Sequence, residues 1–182
     1  MKLKTQRLLL REIDDKDLSE LVRNANNLNV SRYLEKMPYP YTEENGKGFI
    51  KHCLVGFKKD QKEDYEFVIE FQGKFIGMIS LMRVDQFQET CTMGYWIGED
   101  YWRKGIVFEA ASEIIRFGFE DLKLRRINIE AYTENIASNE LIKKLGFNYE
   151  GARKQYKKTR STGDIYDCNI YGLLKDSYKE KE

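Results

Sequence analysis

Residues Gly94 to Ala110, reading GYWIGEDYWRKGIVFEA, join an apolar run, a basic loop with one glycine, and the opening of a helical pattern. A loop that ends in glycine at a helix start aims several backbone N–H groups, and the positive end of the helix dipole, at one point. Such a point takes phosphate or pyrophosphate. Arg103 and Lys104 stand beside it and add two cations. Taken alone, the segment also fits an ordinary strand-to-helix connection with solvated charges. Gly94 lies inside the strand pattern, where a glycine permits a bulge or a close approach. Asn135 opens a later helical pattern as a good N-cap.

These residues need elements to hold them. Arg7 to Ile13 is an apolar run with charged ends and predicts a first strand. Asp14, Asp15 and Asp17 offer N-caps for a helix carrying Leu18, Leu21, Val22 and Ala25, and a shorter helical piece is expected over Val30 to Glu35. Pro38 and Pro40 forbid regular helix between Met37 and Tyr41. Thr42 starts the next helix, with Phe49, Ile50, Cys53, Leu54 and Phe57 as its apolar stripe. Strands follow over Tyr65–Phe71, Lys74–Met82 and Glu89–Ile97, joined by short links as a meander. The helix after Gly105 turns Val107, Ala110, Ala111, Ile114, Ile115 and Leu122 to one side. A strand over Arg126–Tyr132 comes next, then a helix with Ala137, Leu141, Ile142 and Leu145, ended by Gly146. The last element is a hairpin, Phe147–Arg160 with Ile165–Leu174, before a polar, frayed end.

Bulk properties bound the function. The 182 residues suit one domain, 1–182, of α/β (α+β) class. They are 41% hydrophobic and 34% charged with two prolines, which fits a folded chain rather than a disordered one. A net charge of +1 argues against nucleic acid or a membrane surface as partner. No apolar run approaches the ~20 residues of a membrane span, and no apolar signal region follows Met1 to Thr5. Cys53, Cys91 and Cys168 are odd in number and far apart, and His52 is the lone histidine. Neither a disulfide framework nor a metal site is expected. A cytoplasmic home follows. No G-x-x-x-x-G-K-[ST] is present, so a P-loop is excluded.

In this order and spacing, several segments resemble the GCN5-related N-acetyltransferase (GNAT) superfamily, and within it the RimJ/RimL-type branch. They are TQRLLLR from Thr5, GMISL from Gly77, GYWIG from Gly94, YWRKG from Tyr101 with Glu109-Ala110, NIAS from Asn135, KLGF from Lys144, Glu150-Gly151, and DCNIYGLL from Asp167. The resemblance spans nearly the whole chain. It implies a mixed central sheet of about seven strands, largely antiparallel with one splayed parallel pair, flanked by helices. It also implies transfer of an acetyl group from acetyl-coenzyme A to a primary amine, either a protein or peptide N-terminus or a small amine. The alternative is a catalytically weak coenzyme A-binding or protein-interaction module of the same fold.

Residue by residue, the resemblance puts coenzyme A on Trp96, Ile97, Arg103, Lys104, Gly105, Ile106, Val107, Phe108, Asn135 and Ser138. The chain departs from its relatives in carrying Arg103, Val107 and Phe108 where they carry small residues. Ser138 is the implied catalytic acid, its hydroxyl facing a departing thiolate; helix capping explains Asn135 equally well. A tyrosine acid that many members carry is replaced by Ile142, and carboxylates expected near Thr92 and Lys157 are missing. An α-amine with pKa near 8 is already ~10–20% neutral at pH 7 and a lysine amine only ~0.04%, so a missing base fits an α-amine acceptor. The acceptor site is expected to draw on Tyr33, Tyr39, Met93, Gly94, Tyr132 and Tyr156, with an N–H near Met93 or Gly94 polarising the acyl carbonyl. Exposed strand edges allow a homodimer.

Overall fold

A computed structural model of the chain describes residues 1–58 and 62–178; the last four residues of the expected polar end lie outside them. The strands are β1 Lys2–Lys4, β2 Leu8–Arg11, β3 Tyr65–Phe71, β4 Lys74–Asp85, β5 Thr90–Ile97, β6 Arg126–Tyr132, β7 Asn148–Lys158 and β8 Ile165–Leu174. The helices are α1 Leu18–Ala25, α2 Leu28–Ser31, α3 Glu43–Phe57, α4 Ile106–Arg116 and α5 Ile136–Lys144. All eight strands form one sheet in the order β1-β2-β3-β4-β5-β6-β8-β7. The expected seven omitted β1, where Lys2-Leu3-Lys4 offers one apolar residue and no readable alternation.

Period-two alternation divides each central strand between two helical layers. On β4, Ile79 and Leu81 turn toward the layer of α4 and α5 and Met78 toward α1 and α3; a bulge opposite Ile69 and Glu70 then shifts the phase, so that Ile76 joins the first layer and Phe75 the second. α4 buries Ile106, Ala110, Ala111, Ile114 and Ile115 at helical spacing. Each isoleucine contributes about 1.5–3 kcal/mol by leaving water. Past Arg116 the chain continues as a π-helical turn, Phe117–Asp121, instead of the α-helix expected to reach Leu122. A side chain at Gly118 would strike Ile127 Cδ1 at 2.9 Å, so glycine lets this turn lie on β6.

β5 and β6 form the one parallel pair of the sheet, and they separate. Their pairing covers only Thr90 with Arg126 through Thr92 with Asn128. Beyond it β5 stays on β4 as far as Ile97, and β6 stays on β8 as far as Tyr132. A wedge-shaped gap therefore opens between Met93–Ile97 and Ile129–Tyr132. It follows from two strands each keeping its outer neighbour while parting from the other.

Candidate active site

The basic loop sits at one end of the gap. Arg103 adopts φ +59° and Gly105 φ +71°, left-handed values that turn the chain sharply into α4. Gly105 is the N-cap of α4 and supplies no capping side chain. A Cβ built on Gly105 would find only Arg7 Nη2 nearby, at 3.6 Å. Ile106 is buried, and Val107 and Phe108 pack against the core. Their bulk is thus directed inward, and the loop backbone stays approachable. Lys104 Nζ donates back to Asp100 O at 2.7 Å and lies 5.5 Å from the Tyr101 ring, so its charge hugs the preceding turn. Lys144 sits 4.8 Å over the Phe108 ring.

The loop is braced from the far edge of the sheet. Glu109, in the first turn of α4, accepts from Thr5 Oγ1 at 2.5 Å, Arg7 N at 2.7 Å and Arg7 Nε at 2.6 Å. Arg7 Nη1 then donates to Lys104 O at 3.1 Å. Burial opposes ionisation of Glu109, but the bonds from Thr5 and Arg7 outweigh it and hold the carboxyl below its usual range. Thr5 and Arg7 thus fix the loop from the strand edge.

At the other end of the gap, Tyr95 Oη and Ser138 Oγ lie 2.7 Å apart. Asn135 caps α5, its Oδ1 accepting from Ser138 N at 3.1 Å. Burial pushes the Tyr95 phenol up to about 12, against the lowering effect of the Ser138 bond. Tyr95 was not singled out from the sequence. Its signal was its place in the alternation, on the α5 side with Met93 and Ile97. Behind Ser138, buried Asn139 donates to Tyr132 O at 2.9 Å and Asn135 O at 2.8 Å. Its Oδ1 accepts from Asn169 Nδ2 at 2.8 Å and Tyr171 Oη at 2.7 Å. All four hydrogen-bonding positions of the amide are filled.

Backbone alternation decides which amides face the gap. Gly98 N donates to Ile76 O at 2.8 Å, and the β4–β5 register is unbroken from Gly77 with Ile97 to Met82 with Thr92. The bonded positions are then Trp96, Gly94 and Thr92, and the intervening residues turn toward β6. This corrects two expectations. Gly94 and Trp96 direct their amides to β4, and the gap-facing backbone past the last parallel pair is that of Met93, Tyr95 and Ile97. The Ile97 carbonyl is taken by Trp102 Nε1 at 3.0 Å, leaving its N–H. Trp96 instead packs its ring on Phe75, 5.9 Å between centroids. Nor does Gly94 mark a bulge: a Cβ there would strike Met82 Cε at 2.8 Å, so its glycine makes room for Met82.

The opposite face of the gap carries Thr92 and Gly94 from β5 and Asn128, Glu130 and Tyr132 from β6. Tyr132 stacks on Tyr166 at 4.7 Å, and Tyr33 tilts against both at 6.4 and 6.2 Å. With Cys168 beneath, this is a packed cluster in which Tyr132 is 7% exposed and offers little beyond an edge. Tyr156 is brought alongside by a bulge of β7 and accepts from Arg153 Nη1 at 2.5 Å. Tyr39 stands outside the cluster, 44% exposed. The carboxylate that sequence reasoning missed is Glu130, 3.6 Å from both Arg153 Nη1 and Lys157 Nζ. Lys157 bonds Glu35 at 2.7 Å.

Comparison with known proteins agrees with this architecture. Residues 7–148 match the family model described as an acetyltransferase (GNAT) domain. The chain is 33% identical over 177 residues to the uncharacterized N-acetyltransferase YoaA of Bacillus subtilis (strain 168), covering 95% of this chain and 96% of the relative. It is 32% identical over 111 residues to the ribosomal-protein-serine acetyltransferase of Escherichia coli (strain K12), covering 61% of each. A structure of RimL, a ribosomal L7/L12 alpha-N-protein acetyltransferase in complex with coenzyme A, superposes with a TM-score of 0.86 at 20% identity, over 98% of this chain and 100% of that one. With its splayed β5–β6 pair, glycine-ended loop and matching family model, the chain belongs to the GNAT acetyltransferases, which move an acetyl group from acetyl-coenzyme A to an amine.

Proposed function

We propose that this N-acetyltransferase acetylates the α-amine of a protein or peptide N-terminus, or a small amine of comparably low pKa. The observation that carries the reading is the Tyr95–Ser138 hydroxyl pair at the gap. It is supported by likeness to an enzyme named for acetylating a ribosomal protein at serine. The cofactor fits the residues present: Gly105 leaves the α4 N-terminus uncapped by any side chain, and no atom but Arg7 Nη2 approaches the space a Cβ would fill. Arg103, Gly105, Ile106, Val107 and Phe108 would hold the diphosphate, with Arg7 bracing the loop. Tyr95, Ile97, Asn135 and Ser138 would line the path of the pantetheine arm. When bound, acetyl-coenzyme A supplies an activated thioester carbonyl.

The chain's own groups do the rest. Tyr95 Oη fixes the Ser138 hydroxyl, which holds a proton at the gap. On the opposite face Glu130 is a carboxylate that can pair with an incoming ammonium, alongside Arg153 and Lys157. Buried Cys53, Cys91 and Cys168 are free thiols, which suits a reducing cytoplasm. No helix among the described residues is long and apolar enough to cross a membrane. We read residues 1–182 as one catalytic domain whose edge strands β1 and β7 leave room for a homodimer.

The test is thiol release from acetyl-coenzyme A with paired peptides offering either an α-amine or only a lysine ε-amine. Amine-dependent release that favours the α-amine and collapses in Ser138→Ala supports the reading. Tight coenzyme binding without turnover on any amine would mark the chain as a binding module instead.

A further inference from the structure

The gap's acceptor face is ringed by cations, and nearly all are already engaged. Arg126 donates to Asn128 Oδ1 at 2.6 Å and pairs with Glu150. Arg153 reaches Glu130 and Tyr156, and Lys157 reaches Glu35 and Glu130. Arg83 differs. Its Nη2 donates to Thr92 Oγ1 at 3.2 Å, and among the described residues no carboxylate lies within ion-pair distance of its guanidinium. Thr92 is the last β5 residue paired with β6, so this guanidinium stands where the gap begins.

Arg83 is held there at a cost. Its φ is +53°, a left-handed value that a side chain bearing a Cβ adopts unwillingly. The β4–β5 register shifts between Met82 and Asp85, and the shift is pinned from β3's approach. Arg83 N donates to Asp64 Oδ1 at 2.9 Å, and Val84 N to Glu63 O at 2.7 Å. Asp64 therefore secures the backbone of Arg83 and leaves its charge unspent. A bulge beside a site re-aims a side chain, and this one aims a planar, permanently charged fork at Thr92.

We propose that Arg83 is a specificity residue for acceptors carrying a carboxylate close to the reacting amine, such as a peptide with Asp or Glu at its first or second position. The inference rests on the acceptor being an amine delivered to this gap. A guanidinium pairs a carboxylate with two parallel N–H···O bonds, and it would give up only one neutral hydroxyl to do so. Glu130 on the far side of the same face receives the ammonium end, so the two ends of such an acceptor meet opposite charges.

Calorimetry of short peptides into coenzyme A-saturated protein tests this apart from turnover. The peptides differ at position 2 as Glu, Gln or Lys. The Glu peptide is expected to bind about tenfold or more tightly than the Gln peptide, with the preference shrinking as salt rises. In Arg83→Gln the ratio falls to about one, in Arg83→Glu it inverts toward the Lys peptide, and Arg83→Lys restores part of it. Coenzyme A affinity and a cooperative melt in each variant report that the fold is intact. Equal binding of the three peptides to the unaltered protein overturns the inference, whatever the turnover. Charge-selective binding that depends on Arg83 without any acetylation would keep it and remove the catalytic reading.

Discussion

Tyr95 Oη and Ser138 Oγ, 2.7 Å apart, join β5 to the first turn of α5 across a gap that the backbone itself leaves open. The bond gives the serine hydroxyl a fixed orientation that helix capping alone would not supply. It also accounts for an acid where the family's tyrosine position holds buried Ile142. Ser138→Ala is expected to lower kcat by about 10²-fold, the low end for one positioned proton donor. Tyr95→Phe removes the orientation but keeps the hydroxyl and should cost about tenfold. Because the two act as one unit, the double variant should be no slower than Ser138→Ala. Multiplicative losses in the double variant would show that the pair is not coupled.

The same contact has an alkaline signature. Burial raises the Tyr95 phenol to about 12, while the Ser138 bond works the other way. A group whose folded value lies above its unfolded value, here about 10, stabilises the fold fully below the unfolded value. That contribution is lost as pH rises toward the folded one. Phenolate absorbance of the parent protein minus Tyr95→Phe should therefore rise near pH 12, and the stability of the parent should fall between about pH 10 and 12. A difference titration centred near 10 would place Tyr95 in water.

Arg7 joins the loop to the sheet edge through Glu109 on one side and Lys104 O on the other. Arg7→Ala leaves Glu109 in the first turn of α4 without its counter-charge, next to the phosphate site. Coenzyme A affinity should fall about tenfold by calorimetry, from lost bracing and added repulsion together. Glu109→Gln keeps the shape and should weaken binding less. An unchanged affinity in Arg7→Ala would mean that the loop holds its form unaided.

Glu109 also sets an acid limit. Its folded-state carboxyl is held below the ordinary glutamate value by Thr5 and Arg7 despite burial. Its contribution is present above about pH 4.3, the unfolded value, and is lost as pH falls through the lower folded one. Acid unfolding of the parent should therefore be steeper below about pH 4 than that of Glu109→Gln. Identical acid limbs would show that the bonds add nothing to stability.

The layers of the fold were legible in the sequence because each strand and helix repeats its own period. Ile106, Ala110 and Ile114 mark α4, and the alternation of Met78 with Ile79 and Leu81 marks β4 past its bulge. The loop was legible because Gly105 does what only a glycine does easily, at φ +71°. Other features hinge on pairing between distant segments, which local patterning does not carry. β1 exists only because Lys2, Leu3 and Lys4 meet Arg11, Leu10 and Leu9. Tyr95 gained its role from parting strands, Glu130 from lying across that gap, and Arg83 from a bulge pinned by Asp64. Gly94 misled for the same reason: its missing side chain serves Met82 on the neighbouring strand, not a ligand.

Asn139 follows Ser138 and locks α5 to the end of β6 and the middle of β8, so it governs how steadily the serine is held. Its amide is 6% exposed and gives or takes four bonds, to Tyr132 O, Asn135 O, Asn169 Nδ2 and Tyr171 Oη. Asn139→Ala would strand several buried polar groups at about 1–3 kcal/mol each, so a total loss of about 3 kcal/mol or more is expected. Asn139→Asp should be no better, since an oxygen would then face two carbonyls. Tyr171→Phe removes one bond and should cost about 1 kcal/mol. Urea unfolding would rank the three, with a drop in Tm of about 6–12 °C for Asn139→Ala. The same variant should lower kcat more than it weakens coenzyme A binding, because the displaced residue is Ser138 and the diphosphate loop is held separately by Arg7. A loss under about 1 kcal/mol would mean that the network is satisfied by water once the amide is gone.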